Sequence, residues 1–475
     1  MAGFPDIDVL PEALGSPSFR ADYGVKYAYL AGSMYKGIAS QQLVVAMGKA
    51  GLMGFLGTGG LDLKTIENAI RYIQAHLSDR QPYGMNLLFE PGREEEAGKL
   101  VDLYLRYGVR FVEAAAFIQA SPSLVRYRLA GCRRLSANKL HVPNRVLAKI
   151  SRPEMAEIFM RPPAPQVVDK LVKDGLLNSE EASLAQVVPL ASDICVEADS
   201  GGHTDQGVAY ALMPAFLKLR DTIEREQGYA SQIRIGAAGG IGTPEAAAAA
   251  FVLGADFILT GSVNQCTVEA GTSDAVKDML EAMTVQDTVV VPAGDMFELG
   301  AKVQVMKRGL FFPARAKKLY DLYTRHKSLE ELDSETRKLI EDRYFRRSFD
   351  EVWAETCAYF ERTRPGGFNA ATIGPKQKMA LIFRWYFVLT NRLALRGDLE
   401  RRVDFQIQCG PALGAFNQWM RGSELESWRN RRAPDIGERI MRGAAQLLRE
   451  YLARTAAVRD SIDPSVGLKL AELSG

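Results

Sequence analysis

A histidine that directly follows two glycines, in EADSGGHTD from Glu197 to Asp205, is the first pattern in this chain able to do chemistry. An imidazole exchanges protons near neutral pH. Gly201 and Gly202 would let the backbone pass close to a flat ring, and His203 stands just past an apolar strand candidate, DICVEAD. An isolated loop histidine bonded to a backbone carbonyl is the plainer account, but a position at a strand end argues for function. The other three histidines carry less: His76 ends a helical pattern, His141 precedes a strand and His326 belongs to a charged helix.

A second pattern runs from Ala237 to Ser262, AAGGIGTPEAAAAAFVLGADFILTGS. Gly239 and Gly240 lie between a strand and a helix that Thr243 and Pro244 would start well. Backbone N–H groups at such a turn approach an anion closely, and the helix dipole adds to the attraction. Gly261 and Ser262 follow the next strand, so two successive βα loops offer a phosphate site. Tight turns alone would explain either glycine pair; their spacing suits consecutive units.

Small residues recur at two further strand ends, with Gly32, Ser33 and Met34 after the first and Gly57 and Thr58 after the second. They suggest backbone contact with a planar ligand. Asn86 on the third strand and Lys149 on the fifth offer polar groups at the same face. Lys149 reads equally well as a structural ion-pair partner of Glu113 or Glu197. Cys266 follows the phosphate loop, but no histidine nearby in sequence would activate it, and it reads as structural.

These residues need a scaffold that brings strand ends together. Eight short apolar runs, near Val25, Leu52, Tyr83, Val109, Arg145, Asp193, Ile233 and Phe257, alternate with segments of helical period. The expected fold is α/β, a (β/α)8 TIM barrel over residues 1–270, with a proline-marked insertion near 160–191. An open doubly wound sheet would show the same alternation. Beyond Gly271 helical patterns dominate and all four tryptophans fall there, predicting a mostly helical second region over 271–475.

Composition narrows the class. Of 475 residues, 47% are hydrophobic and 24% charged, the balance of a globular protein. A formal net charge of +2 gives no general reason to expect nucleic-acid binding. Five dispersed cysteines form no CxxC pair or zinc-ligand pattern, so no metal is expected and a reduced cytoplasmic setting fits. The first fifteen residues lack the basic start and apolar run of an export signal, and no stretch is long enough for a membrane span.

With these motifs the chain resembles the trans-acting enoyl reductases of bacterial polyketide and polyunsaturated fatty acid synthases (the PfaD type), relatives of FMN-dependent enoyl-carrier-protein reductases and nitronate monooxygenases. The resemblance runs through LAGSMYKGIAS, GMNLL, VEADSGGHTDQG, AAGGIGTPEAAAAAF, LTGSVNQCTVEAGTSD, FNAATIGPKQKMALIFRWY and FQIQCGPALGAFNQWM. It implies FMN, with its phosphate at Gly239, Gly240, Gly261 and Ser262 and its ring near Gly32, Met34, Gly57, Asn86 and Lys149. It also implies NADPH as hydride source and His203 as the catalytic histidine. The substrate would be an enoyl thioester on an acyl carrier protein, an acidic partner that Arg384, Arg392, Arg396, Arg401 and Arg402 could dock. A homodimer is compatible with the family. A nitronate monooxygenase and a non-catalytic synthase scaffold are the alternatives. Inosine monophosphate dehydrogenases share the phosphate site but need a nucleophilic cysteine after strand six, whereas Cys195 lies within that strand.

Overall fold

The computed structural model describes residues 8–78, 80–136, 139–363 and 367–461. The N-terminal segment read for an export signal lies partly outside them, as do residues 462–475 of the expected helical region. Two compact units emerge, one of residues 8–196, 209–260 and 432–461, the other of 197–208 and 261–431.

The first unit is a closed barrel of parallel strands. Its strands are β1 (Tyr29–Ala31), β2 (Met53–Leu56), β3 (Gly84–Leu88), β4 (Phe111–Ala115), β5 (Arg145–Ile150), β6 (Asp193–Glu197), β7 (Arg234–Ala238) and β8 (Ile258–Thr260). They close in the order β1-β8-β7-β6-β5-β4-β3-β2. Strands covered on both faces read as continuous apolar runs, which is why the sequence exposes them. The interior is filled by Leu30, Met53, Phe55, Leu147, Cys195, Phe257 and Leu259. Large rings fit because glycine lies opposite: a Cβ on Gly236 would stand 2.3 Å from the Phe257 ring.

Helix Leu63–His76 shows how the outer layer forms. Asp62 caps it by accepting the Thr65 N–H, and Ile66, Ala69, Ile70 and Ile73 form one buried stripe. The proline-marked insertion folds as helices Pro165–Lys173 and Ser179–Leu184, the second started by a capping box between Asn178 and Glu181. His141 lies in the short strand Lys139–His141, paired with Arg133–Ser136, ahead of β5. The long helix Ala433–Ser461 packs on the barrel. Gly437 and Gly443 permit this, since Cβ atoms there would stand 2.7 Å from Tyr29 and 2.5 Å from Pro244.

The N-terminal end of the barrel is plugged by helix Pro17–Tyr23. Ser16 caps it and Phe19 stacks on Phe257 with ring centroids 4.4 Å apart. A buried polar network fixes the plug: Asp193 accepts from the Tyr23 hydroxyl at 2.8 Å and from Arg234 Nε at 2.6 Å, while Arg234 also reaches Asp22 at 2.7 Å.

The second unit contains a three-stranded sheet that helical periodicity after residue 271 did not reveal. Strand Lys302–Met306 lies between Thr288–Pro292 and the two-residue strand Gly202–His203, antiparallel to both. Helices Phe312–Arg325, Phe349–Thr363 and Pro375–Arg396 enclose an aromatic core that includes Phe312, Phe345, Phe349, Phe383, Tyr386 and Phe387.

Asp193 is wholly buried, and removing its charge leaves Arg234 paired, among the described residues, with the half-exposed Asp22. Asp193→Asn is expected to cost about 3 kcal/mol, the scale of breaking a buried pair. Urea unfolding followed by circular dichroism would read this, and an unchanged midpoint would contradict it.

Candidate functional site

In the barrel unit, the sequence-selected residues on β1 to β5 gather around Glu113 of β4, whose side chain is fully buried. Glu113 reaches across the barrel interior to the loop after β1, accepting the Ser33 N–H at 2.9 Å and the Ser33 hydroxyl at 2.6 Å. Lys149 Nζ of β5 stands 3.7 Å from the same carboxylate, so Glu113 is one ion partner of the lysine. The Glu113 backbone carbonyl accepts from Asn86 Nδ2 at 3.1 Å. One residue thus ties together Ser33, Asn86 and Lys149.

Asn86 is fixed from its other side. Thr58 Oγ1 and the Tyr104 hydroxyl donate to its carbonyl at 2.7 and 2.6 Å. Burial pushes the Tyr104 phenol well above its ordinary value, so it stays a donor. The loops after β1 and β2 meet backbone to backbone: Gly57 N–H donates to the Ala39 carbonyl at 3.0 Å and its carbonyl accepts from Gly37 at 2.8 Å. A Cβ on Gly57 would fall 1.6 Å from the Met34 carbonyl oxygen, so no other residue fits. Gly32 is likewise pressed on Leu259, 2.5 Å from a would-be Cβ, and its N–H donates to the Thr260 carbonyl at 2.9 Å.

Gly239 and Gly240 leave the end of β7, at φ +85° and +71°. Thr243 caps the following helix, Pro244–Val252, with proline in its first turn. A Cβ on Gly240 would meet nothing within 4 Å, so the loop faces open space. A left-handed glycine turn leading to a helix N-terminus presents N–H groups to such a space, and a phosphate fits their chemistry.

In the second unit, His203 Nε2 lies 3.1 Å from Asp295 Oδ1. Partial loss of water around the Asp295 carboxyl, whose side chain is still more than half exposed, works to raise it, but the His203 ring and the Asp295 and Met296 backbone N–H groups outweigh this and hold the group below its ordinary value. The GGH segment rests on Cys409 and Gly410: a Cβ on Gly201 would stand 2.6 Å from Cys409. Gly202, at φ +85°, pairs with Gln304, whose Nε2 donates to Asp199 at 2.9 Å while its buried Oε1 has no hydrogen-bond partner among the described residues. Gly410 N–H in turn donates to Ser262 Oγ at 2.8 Å, and a Cβ on Gly261 would meet open space.

Glu113 entered the sequence reading only as a possible ion partner, although a lone acid in the apolar strand VRFVEAA was a usable signal. Asp295, Gln304 and Gly410 carried none, because pairing far along the chain brings them to His203. Of the proposed docking arginines, Arg401 is held by Asp404, Tyr344 and Phe345, and Arg384 by Glu298 and Asp295. Arg392, Arg396 and Arg402 stay exposed. Among the described residues no cluster suited to a metal appears, and no helix is long and apolar enough to cross a membrane.

The chain matches known proteins over most of its length. Residues 20–309 fit the family model for nitronate monooxygenase, and residues 326–405 fit that for the inserted helical domain of acyl-carrier-protein S-malonyltransferase. The polyketide biosynthesis protein PksE of Bacillus subtilis is 53% identical over 444 residues, covering 94% of this chain and 58% of that protein. A polyunsaturated fatty acid synthase component from a Thraustochytrium species is 41% identical over 463 residues, 96% of this chain and 30% of its own length. The chain therefore spans less than two thirds of either relative. The solved enoyl reductase domain of MlnA, from the macrolactin biosynthesis cluster of Bacillus amyloliquefaciens, superposes with a TM-score of 0.90 at 45% identity, over 93% of this chain and 99% of that one.

The cysteines are placed for packing. Burial pushes the Cys266 thiol up to about 12 and Cys409 higher still, Cys195 is buried in the barrel interior, and Cys357 is half-buried. Iodoacetamide at about pH 8 is expected to label Cys357 first and to spare Cys266 and Cys409 in the folded protein. Early labelling of Cys266 in peptide mass spectra would contradict this.

Proposed function

Because the chain belongs to the trans-acting enoyl reductases of the nitronate monooxygenase superfamily, we propose that it reduces the α,β double bond of enoyl thioesters with FMN and NADPH. The observation that carries the reading is the end-to-end match to a solved enoyl reductase domain. The substrate would be carried on an acyl carrier protein of a polyketide or polyunsaturated fatty acid synthase in the cytoplasm.

The residues of the barrel unit suit FMN. Gly240 has open space beside it, and with Gly239 it would offer backbone N–H groups to a phosphate. When bound, FMN supplies the two-electron relay between a nicotinamide and the β-carbon of the thioester. Asn86 and Lys149 would contact the ring, both oriented through Glu113. Ser33 has its N–H and hydroxyl committed to that carboxylate, so its part is to shape the loop that presents Gly32 and Met34. Gly57 keeps the loop after β2 thin, and Thr58 locks Asn86. In the second unit, Gly201 and Gly202 keep the backbone before His203 slim, Gly261 and Ser262 would add phosphate contacts, and His203 would deliver the proton to the α-carbon. Arg392, Arg396 and Arg402 are the exposed cations left for a carrier-protein contact.

Purified protein is expected to be yellow, to bleach under anaerobic NADPH, and to recover colour on adding a crotonyl thioester. A colourless protein that cannot be reconstituted with FMN would sink the proposal, and turnover of a nitronate with no thioester reduction would favour a monooxygenase. His203→Ala should keep its colour and lose roughly a hundredfold in thioester reduction, the lower end for an acid–base group. Glu113→Gln should retain FMN less well, since the carboxylate that holds Ser33 and faces Lys149 is removed. Unchanged flavin occupancy after gel filtration would count against that role.

A further inference from the structure

We propose that Asp295 is the positioning residue of His203, holding Nε2 so that Nδ1 is the nitrogen that transfers the proton. The inference rests on the reading of His203 as proton donor. A carboxylate only accepts hydrogen bonds, so the 3.1 Å contact places a proton on Nε2 in both charge states of the ring. In the cation the second proton sits on Nδ1. Its transfer to the α-carbon breaks the Nδ1–H bond, forms the C–H bond and leaves a neutral ring with Nε2–H still on Asp295; solvent then restores the proton.

Asp295 itself is firmly placed. It lies on the turn between strands Thr288–Pro292 and Lys302–Met306, and the second of these pairs with Gly202–His203, Val303 opposite His203. Gly294 lets the turn press on Phe387, 2.4 Å from a would-be Cβ. Arg384 Nη2 donates to the Asp295 carbonyl at 3.3 Å while its Nη1 engages the Glu298 carboxylate at 3.2 and 3.3 Å. Oδ1 also accepts the Met296 N–H at 3.1 Å. Helix Pro375–Arg396 thereby anchors the carboxylate that meets the histidine.

Other charged groups lie on the elements packed against His203. On the histidine's own segment stand Glu197, Asp199 and Asp205; Asp199 accepts from Gln304, and Glu197 accepts from Ser200 at 3.1 Å. The adjacent strand brings Lys302, whose backbone carbonyl accepts the Thr204 N–H. Glu298 is matched by Arg384, and Cys409 behind Gly201 stays a neutral thiol because burial raises it. Asp295, held below the ordinary carboxylate value, stays anionic while an imidazole gains its proton. The sign follows: the pairing is present above the depressed Asp295 value and is lost as pH falls through it.

The test compares the parent holoenzyme with Asp295→Asn, Asp295→Glu and Arg384→Gln. Nitrogen-15 NMR of the His203 ring, assigned with His203→Ala, should show an Nε2–H tautomer in the parent. In Asp295→Asn the His203 titration should move to lower pH, with the alkaline limb of kcat for a crotonyl thioester, where the proton donor is lost, moving alike and kcat falling roughly tenfold. Asp295→Glu should restore part of both, and Arg384→Gln should shift both in the same direction by less. An Nδ1–H tautomer in the parent, or a His203 titration unmoved in Asp295→Asn, would overturn the proposal, as would a moved titration with an unmoved kcat profile. Should His203→Ala reduce the thioester at the parent rate, the proton-donor reading fails by itself, and the ring spectra alone decide whether Asp295 holds the imidazole.

Discussion

A carboxylate buried inside the barrel is the constraint on which the barrel-end residues depend. Glu113 is excluded from water, and such an anion must be matched by donors and a cation or it opposes folding. Ser33 and Lys149 supply that match from opposite sides of the barrel, and Asn86 attaches through the Glu113 backbone. The groups that satisfy the charge are the same groups that define the strand ends. Their placement therefore follows from folding and needs no ligand to impose it.

The second unit applies a similar economy to a surface histidine. His203 is joined to a sheet by a two-residue strand, and that sheet's next turn carries its acidic partner. The helical region behind it contributes Arg384 and Phe387, which hold the turn. Arg384 thus has an internal duty, and a basic count along one helix overstates the charge available to a partner.

The barrel was legible because strands buried on both faces write an apolar run into the chain, and because glycine turns before a capped helix have a local signature. Thr243 and Pro244 announce their helix without reference to anything distant. What escaped is non-local. Lys302–Met306 is a strand by virtue of its partners, and Gly202–His203 becomes one only against it. Asp295 sits 92 residues from His203, with an ordinary turn sequence around it. Gln304 and Gly410 are in the same position. Glu113 lay between the two cases: its oddity was visible, but its reach to Ser33 across a closed barrel required the closure itself.

Helix Ala433–Ser461 adds a consequence for synthesis. It packs on β1 and on the helix after β7, through Gly437 and Gly443, although the whole second unit lies between them in the chain. Tyr29 leaves the ribosome long before Gly437, its final neighbour, has been made. Contacts so distant in sequence slow folding, and a barrel left uncovered meanwhile shows apolar surface to other chains. The contact between β1 and this helix can therefore close only after the second unit has been translated.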